Sequence, residues 1–170
     1  MKTYKHMLVP LDTSELAELA LEDAFSLAKL NQAGLTLLHV IPPIETVLAA
    51  ETGHPIFVDQ QWDNHRVLAM RYLKDICKRF NCPDVKTELV VEMGLAAETI
   101  IEYAREHPID LIVMATHGRS GLQRWVYGSV ADKVLRGAGV PVLLVRAHDK
   151  EHFAPVRQAE VASAETHRQN

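Results

Sequence analysis

A regular alternation of short apolar runs with segments of helical periodicity constrains this chain more than any other feature. Five runs are predicted to be strands: His6 to Pro10, Leu35 to Val40, Thr87 to Val91, Leu111 to Thr116 and Val140 to Arg146. The fourth does not alternate polar with apolar residues, which is typical of strands covered on both faces by crossover helices. The sequence therefore predicts one domain, an open five-stranded parallel sheet that is doubly wound and Rossmann-like, with helices on both faces.

Four segments between these runs show the spacing of amphipathic helices. In the segment from Ser14 to Gln32, apolar residues recur at the three- and four-residue intervals that place them on one helix face. The same spacing occurs over residues 69–80, 97–104 and 130–138. The last strand contains Pro141, which cannot donate to a ladder, so we expect that strand to start there or to lie at an edge of the sheet.

Two segments depart from this pattern. Residues from Ile41 to about Asn64 contain three prolines and a glycine and are predicted to form a long surface loop, either covering the ligand edge of the sheet or forming a tolerated insertion. From residue 147 onward the chain is polar. We therefore expect a domain over residues 1–146 and a polar tail over residues 147–170 that is mobile or docked on a partner.

Charge and hydropathy exclude several classes of partner. The net charge is −4 and the pI about 6.1, so the chain lacks the basic surface that nucleic acids and anionic membranes require. No apolar run approaches the roughly 18 residues needed to span a bilayer. With no secretory signal pattern at the N-terminus, the protein is expected in the cytoplasm, with Cys77 and Cys82 as reduced thiols. Any anion site must therefore be local.

The positions of the glycines exclude two common nucleotide sites. No glycine precedes Gly34, so the glycine-rich turn that a dinucleotide-binding fold needs after its first strand is missing. No Gly-Lys-Ser or Gly-Lys-Thr occurs, which excludes an ordinary P-loop. Instead, the fourth strand leads into a segment in which nine residues separate Gly118 from Gly128. Glycine at both ends would let the backbone approach a bulky anion and present N–H groups to it.

Ser129 and Asp132 have the spacing of a capping box, which predicts that a helix begins here with its N-terminus directed into the glycine segment. Four cationic residues give this region a local positive balance: Arg119, Arg124, Lys133 and Arg136. Both features favour a phosphate group. The alternative is purely structural, with glycines that only turn the chain, a serine that only caps a helix and cationic side chains that face solvent.

Asp12 follows the first strand at the same edge of the sheet. Its carboxylate could accept hydrogen bonds from a ribose or a base, or help to hold a divalent cation beside a triphosphate. The alternative is that Asp12 is a helix N-cap, with Glu15 at the third helical position.

The strongest similarity to a known family lies in three segments: Val113-Met114-Ala115-Thr116-His117-Gly118-Arg119-Ser120-Gly121, Gly128-Ser129-Val130-Ala131 and Pro141-Val142-Leu143-Leu144-Val145. The chain resembles the ATP-binding branch of the universal stress proteins from about residue 4 to residue 146. The family's nucleotide motif is Gly-x-x-Gly, nine residues, then Gly followed by Ser or Thr. Gly118 and Gly128-Ser129 match this motif, and Ala115 stands at its first glycine.

The resemblance implies an adenine nucleotide alpha hydrolase-like fold and a set of nucleotide contacts. Base and ribose would contact Pro10, Asp12 and Val40, with Met114 and Ala115 on the floor of the site. The phosphates would lie against Gly118, Gly128, Ser129 and Val130, and His117 and Arg119 would be further nucleotide-binding residues. The ligand would be ATP, or ADP or AMP, accompanied by Mg²⁺ or Mn²⁺. The resemblance also implies a homodimer through the last strand, from Val140 to Val145.

Three functions remain open from the sequence. The first is a binding protein that reports energy or stress state to a regulatory partner, with at most slow ATP hydrolysis. The second is a nucleotide hydrolase, or an enzyme with Ser129 as nucleophile, which would need a base and an orienting acid nearby. In the loop only His117 is a candidate base. The third is a dimeric interaction module that binds no nucleotide.

Overall fold

A parallel sheet with helices on both faces forms the domain. The computed structural model describes residues 3–43, 58–80, 83–116 and 128–146, and the side chains of residues 62–80 within the second range. The strands in these ranges are β1 (His6–Leu11), β2 (Gly34–Ile41), β3 (Thr87–Met93), β4 (Leu111–Thr116) and β5 (Val142–Arg146). The helices are α1 (Glu15–Glu18), α2 (Ala20–Asn31), α3 (Val58–Phe80), α4 (Ala96–Glu106) and α5 (Ser129–Gly137). None of the helices in these ranges combines the length and the apolar composition needed to cross a bilayer.

The strands lie in the order β3-β2-β1-β4-β5 and all are parallel. The predicted doubly wound α/β fold is therefore confirmed. Side chains alternate between the faces of β1, so Met7 and Val9 pack with α2 and α3 while Leu8 packs with α4 and α5. Both faces of this central strand are buried, which explains its apolar run. The order of the strands reverses between β1 and β4.

Helix α3 begins earlier than its sequence indicates. It starts at Val58, so residues 58–64 of the predicted loop are helical, and Ile41 belongs to β2. Residues 58–68 contain no glycine or proline, and the buried residues Ala69, Leu73 and Ile76 anchor the rest of the helix, so the helix continues toward its N-terminus. Residues 44–57 of the predicted loop and the predicted tail over residues 147–170 lie outside the described residues.

The first predicted helix is divided into α1 and α2 at Leu19. The N–H of Leu19 donates to the carbonyl of Leu16 at 3.1 Å, which is the tighter i to i−3 bond of a 3₁₀ turn. Leu19 itself keeps helical angles, with φ −60° and ψ −25°, so the chain direction changes little.

Strand β5 lies at one edge of the sheet, as the position of Pro141 predicts. Pro141 immediately precedes the strand, and its carbonyl accepts a hydrogen bond from the N–H of Ile112 at 3.0 Å. The strand begins at Val142, two residues later than predicted, because the proline has no N–H to continue the ladder.

Candidate functional site

The reversal of strand order produces a crevice between β1 and β4. The two strands pair in register only at Met7 with Leu111 and at Leu8 with Ile112. Toward its carboxyl end β1 continues with Pro10, which has no N–H to donate. Open parallel sheets bind their ligands at such a switch point, beyond the carboxyl ends of the strands.

A cavity of about 230 Å³ occupies this crevice. Eight of the eleven predicted site residues line it together: Pro10, Asp12, Val40, Met114, Ala115, Gly128, Ser129 and Val130. The other three, His117, Gly118 and Arg119, lie outside the described residues. The remaining lining residues are not predicted as site residues from the sequence: Leu11, Ser14, Leu16, Ala17, Leu38, Ala96, Ile100, Thr116 and Ala131.

One wall of the cavity is apolar. Leu38 and Met114 are buried on the strands, and Ile100 adds the buried face of α4. Val40 is half-buried at the end of β2. Apolar walls of this kind suit the flat face of an aromatic ligand, whose orientation is then set by a few polar groups. The sequence does not identify Ile100 as a site residue, because the spacing of apolar residues around it indicates only that it lies on the buried face of a helix.

The opposite end of the cavity is formed by the start of α5. Gly128 is the N-cap, with an extended backbone (φ −54°, ψ 147°), and no side chain of the described residues caps the helix. The first helical hydrogen bond joins the N–H of Asp132 to the carbonyl of Gly128 at 2.9 Å. The N–H groups of Ser129, Val130 and Ala131 precede that bond and therefore have no partner within the helix. Positive partial charge collects at such a terminus, which favours an anion.

The predicted capping box is wrong. Ser129 is the first helical residue instead of the N-cap, because the change to extended backbone occurs one residue earlier, at Gly128. The carboxylate of Asp132 accepts a hydrogen bond from Nε of Arg136 at 2.9 Å and does not reach back to the helix start. The first-turn amides are therefore not occupied by a side chain of their own helix.

Thr116 ends β4 beside this helix start. Only 2% of the residue is exposed, and its hydroxyl has no hydrogen-bond partner in the part of the chain that the structure describes. Thr116 lines the same cavity. Thr116 is predicted from the sequence as the last residue of the fourth strand, and its hydroxyl is the one polar side chain in that otherwise apolar run.

Asp12 is not the N-cap of α1. Ser14 has that role, since its hydroxyl accepts a hydrogen bond from the N–H of Ala17 at 3.1 Å. The Oδ1 atom of Asp12 accepts from the N–H of Ser14 at 3.0 Å and from its hydroxyl at 2.6 Å, and the backbone between them turns through Thr13 at φ 70°. Asp12 is exposed, and no described residue donates to its Oδ2 atom. This oxygen can accept a hydrogen bond from a ligand.

The cationic residues of α5 do not line the cavity. Nζ of Lys133 donates to Oε1 of Glu98 at 3.0 Å and lowers the pKa of that carboxyl. Arg136 is held by Asp132 at 2.9 Å. Surface carboxylates therefore neutralise the charges of these two side chains, and neither side chain lines the cavity as the sequence predicted. Arg119 and Arg124 lie outside the described residues.

Metal-binding side chains are sparse in the described ranges. They contain no group of three or more His, Cys, Asp or Glu side chains that could hold a metal ion. Asp12 is the one carboxylate among the described residues that line the cavity. A cation at this site would therefore need further ligands from the molecule it accompanies.

Comparison with known proteins identifies the family. The sequence profile of the universal stress protein family matches residues 3–146. This chain belongs to the universal stress protein family. It is 31% identical over 147 residues to the universal stress protein YxiE of Bacillus subtilis, a similarity that covers 84% of this chain and 99% of YxiE.

Solved structures of the family agree with the fold. The structure of MJ0577, a universal stress protein of Methanocaldococcus jannaschii, matches with a TM-score of 0.72 at 28% identity over 87% of this chain and 99% of the other. A universal stress protein from Archaeoglobus fulgidus in complex with dAMP matches with a TM-score of 0.53 at 19% identity, over 84% of this chain and 98% of its own. At that identity the second structure supports the fold alone.

Proposed function

We propose that this protein is a regulatory, stress-response member of its family that binds an adenine nucleotide in the cavity between β1 and β4. The ligand is ATP, with ADP or AMP as related ligands of the same site. The observation that carries the proposal is the juxtaposition, around one cavity, of an apolar wall and a helix N-terminus without a side-chain cap. A nucleotide has the same division into a flat aromatic base and an anionic phosphate chain.

The base lies against the apolar wall. Met114 on β4 and Ile100 on α4 belong to one core cluster, and together with Val40 of β2 they line the cavity with apolar surface. Between this wall and the helix start, Oδ2 of Asp12 accepts a hydrogen bond from a ribose hydroxyl. The carboxylate is held for this contact because its other oxygen is fixed by Ser14.

The phosphates lie at the start of α5. The N–H groups of Ser129, Val130 and Ala131 are directed toward the N-terminal end of the helix, as in any α-helix, and these residues line the cavity. Ala115, which stands at the first glycine of the family motif, also lines the cavity. A Cβ atom added at Gly128 would have no atom of the described residues within 4 Å, so this part of the chain leaves room for a ligand beside the glycine.

A divalent cation, Mg²⁺ or Mn²⁺, accompanies the nucleotide. Asp12 is the described lining residue with the chemistry to contact it, and the phosphate oxygens supply the other ligands. When bound, the cation neutralises part of the phosphate charge.

Binding, with at most slow hydrolysis, agrees better with the described residues than enzymatic turnover does. A serine nucleophile needs a base within hydrogen-bond reach. Among the described lining residues there is no histidine, and Asp12 is the one carboxylate. The nucleotide therefore acts as a signal that a partner protein reads, and we propose that this occurs in the cytoplasm.

The proposal includes a homodimer through β5. Among the described strands this one is an edge of the sheet, so one row of its backbone groups has no neighbouring strand there, and its Leu143 is 36% exposed. Edge strands with apolar side chains pair readily with a second copy.

Released nucleotide tests the proposed function. Freshly purified protein is denatured, and the supernatant is separated by ion-exchange chromatography with detection at the adenine absorbance. We expect ATP, ADP or AMP in a fixed ratio to protein. Protein that releases no nucleotide and takes up none on titration would instead be the interaction module without a ligand.

A further inference from the structure

Helix α1 forms part of the cavity although none of its residues is fully buried. It has four residues, and a tighter turn at Leu19 separates it from α2. Leu16 and Ala17 of this helix nevertheless line the cavity. A single helical turn gains few hydrogen bonds for the residues that it orders, so contacts with other elements are needed to fix its position.

An ion pair joins α1 to the last turn of α3. Nη2 of Arg79 donates to Oε2 of Glu18 at 2.6 Å, across 61 positions of the sequence. The side chain of Glu18 is 22% exposed, less than any other carboxylate in the ion pairs of the described ranges. The hydroxyl of Tyr72, also on α3, contacts the same carboxylate. Because Glu18 is partly withdrawn from water, this pair is screened less than the exposed pairs are.

The end of α3 that carries Arg79 is itself packed against α2. The next residue, Phe80, stacks on Phe25 of α2, with ring centroids 4.8 Å apart and an angle of 10° between the ring planes. Phe25 is a buried residue of the core. Arg79 therefore extends from a fixed part of the fold, and it can hold the carboxylate of Glu18 in one place.

A continuous set of hydrogen bonds leads from this ion pair to Asp12. The N–H of Glu18 donates to the carbonyl of Ser14 at 3.3 Å, and the hydroxyl of Ser14 donates to Oδ1 of Asp12 at 2.6 Å. The other oxygen of Asp12, Oδ2, is the one that can accept a hydrogen bond from a ligand. A displacement of Glu18 would therefore move Ser14 and change the direction of the Asp12 carboxylate.

Resting on the proposed function, we propose that Glu18 and Arg79 are positioning residues of the nucleotide site, which hold α1 so that Asp12 presents Oδ2 to the ribose. Arg79 does not line the cavity, so its effect on the ligand passes through Glu18. The ribose is common to adenosine and ATP. Loss of the ion pair should therefore weaken the binding of both ligands by the same factor.

Arg79→Gln tests this role because it breaks the ion pair at a residue that does not contact the ligand. We expect ATP and adenosine to bind roughly threefold to tenfold more weakly in calorimetric titration. Arg79→Lys keeps a cation at this position and should bind both ligands nearly as well as the wild type. Lys78→Gln is the matched control, since it removes the same charge from the neighbouring residue, whose partner Asp75 lies on α3 itself at 3.4 Å. This control should bind ATP as the wild type does.

A double-mutant cycle with Asp12→Ala separates positioning from a purely structural role. If Arg79 acts through Asp12, Arg79→Gln weakens ATP binding in the wild-type background and has no further effect in the Asp12→Ala background. A general loss of stability would lower the melting temperature in both backgrounds, and its effect on ATP affinity would not depend on Asp12. Glu18→Gln weakens the same ion pair from α1, and as a second variant it should repeat the result of Arg79→Gln.

The outcomes separate this inference from the proposed function. If the wild type binds ATP and both Arg79→Gln and Glu18→Gln bind it equally well, the positioning role is wrong and the proposed function stands. The role is also wrong if Lys78→Gln loses as much affinity, which would indicate a long-range effect of charge, or if the loss persists in the Asp12→Ala background. A wild type that binds no adenine nucleotide would overturn both proposals.

Discussion

One oxygen of Asp12 fixes the helix cap that follows it. Its Oδ1 atom accepts two hydrogen bonds from Ser14, from the N–H at 3.0 Å and from the hydroxyl at 2.6 Å, while Ser14 in turn caps α1. The other oxygen, Oδ2, has no donor among the described residues. One oxygen of this carboxylate thus stabilises the turn, and the other is available to a ligand.

Asp12→Asn separates these two roles. The amide oxygen can still accept from Ser14, so the melting temperature should change little. The charge is lost, and we expect ATP affinity to fall roughly tenfold, toward the lower end of the loss of about 1.5 to 3 kcal/mol for a hydrogen bond to a charged group. Asp12→Ala should weaken binding by roughly tenfold to a hundredfold and also lower the melting temperature. Calorimetric titration measures the ATP affinity, and thermal unfolding measures the melting temperature. Unchanged ATP affinity in Asp12→Asn would show that Asp12 does not contact the ligand.

Gly128→Val should block the phosphate end of the cavity without unfolding the protein. The added Cβ meets no atom within 4 Å and the φ angle of −54° suits any residue, so the side chain enters the space proposed for the ligand. Gly139→Val is the matched control, since its Cβ also meets nothing within 4 Å and Gly139 does not line the cavity. Titration with ATP should show binding to Gly139→Val alone. Equal ATP binding by both variants would show that the phosphates do not bind beside Gly128.

Tyr72 makes the fold sensitive to alkaline pH. Burial, followed by the negative charge of Glu18 and a contact of the hydroxyl with that carboxylate, raises the pKa of its phenol above the ordinary value of 10.0. Because the folded pKa exceeds the unfolded one, this contribution to stability is fully present below about pH 10 and is lost as the pH rises above it.

Tyr72→Phe removes the titrating group and keeps the ring, so its stability at about pH 8.5 gives the baseline for comparison with the wild type. Its stability relative to the wild type should increase by about pH 11, where the unfolded wild-type phenol ionises. Urea unfolding at the two pH values measures the difference. The other tyrosines are common to both proteins and cancel. Parallel losses of stability in wild type and variant would contradict the raised pKa.

Leu143→Lys should disrupt the proposed homodimer. Lysine on an edge strand disfavours pairing with a second copy, because its charge would have to leave water. Leu30→Lys is the control, since Leu30 is an exposed leucine of α2, on a different element from β5. Sedimentation velocity should show a dimer for the wild type and Leu30→Lys and a monomer for Leu143→Lys. A monomeric wild type would exclude the dimer, and a dimeric Leu143→Lys would place the interface elsewhere.

The sheet could be predicted from the sequence because its signal is local and repeated. A run such as 111–114, apolar at every position, is typical of a strand buried on both faces between two helix layers. The edge position of β5 followed from one proline, Pro141. The clustering of Pro10, Val40 and Ser129 around one cavity followed from the rule that carboxyl ends of parallel strands share one edge.

The features that were predicted wrongly, or not predicted, depend on backbone angles or on tertiary packing. The spacing of Ser129 and Asp132 fits a capping box, but the extended ψ at Gly128 decides where the helix begins. The start of α3 at Val58 depends on how far a helix anchored by Ala69 continues beyond its buried part. Thr116 was missed because the absence of a hydrogen-bond partner is a property of its three-dimensional surroundings.

Titration of nucleotide-free protein with ATP and Mg²⁺ in a calorimeter tests the central claim most directly. We expect saturable binding of one ATP per chain. Gly128→Val should abolish this binding, and Gly139→Val should preserve it. A wild-type protein that shows no saturable heat with ATP up to millimolar concentration would contradict the account.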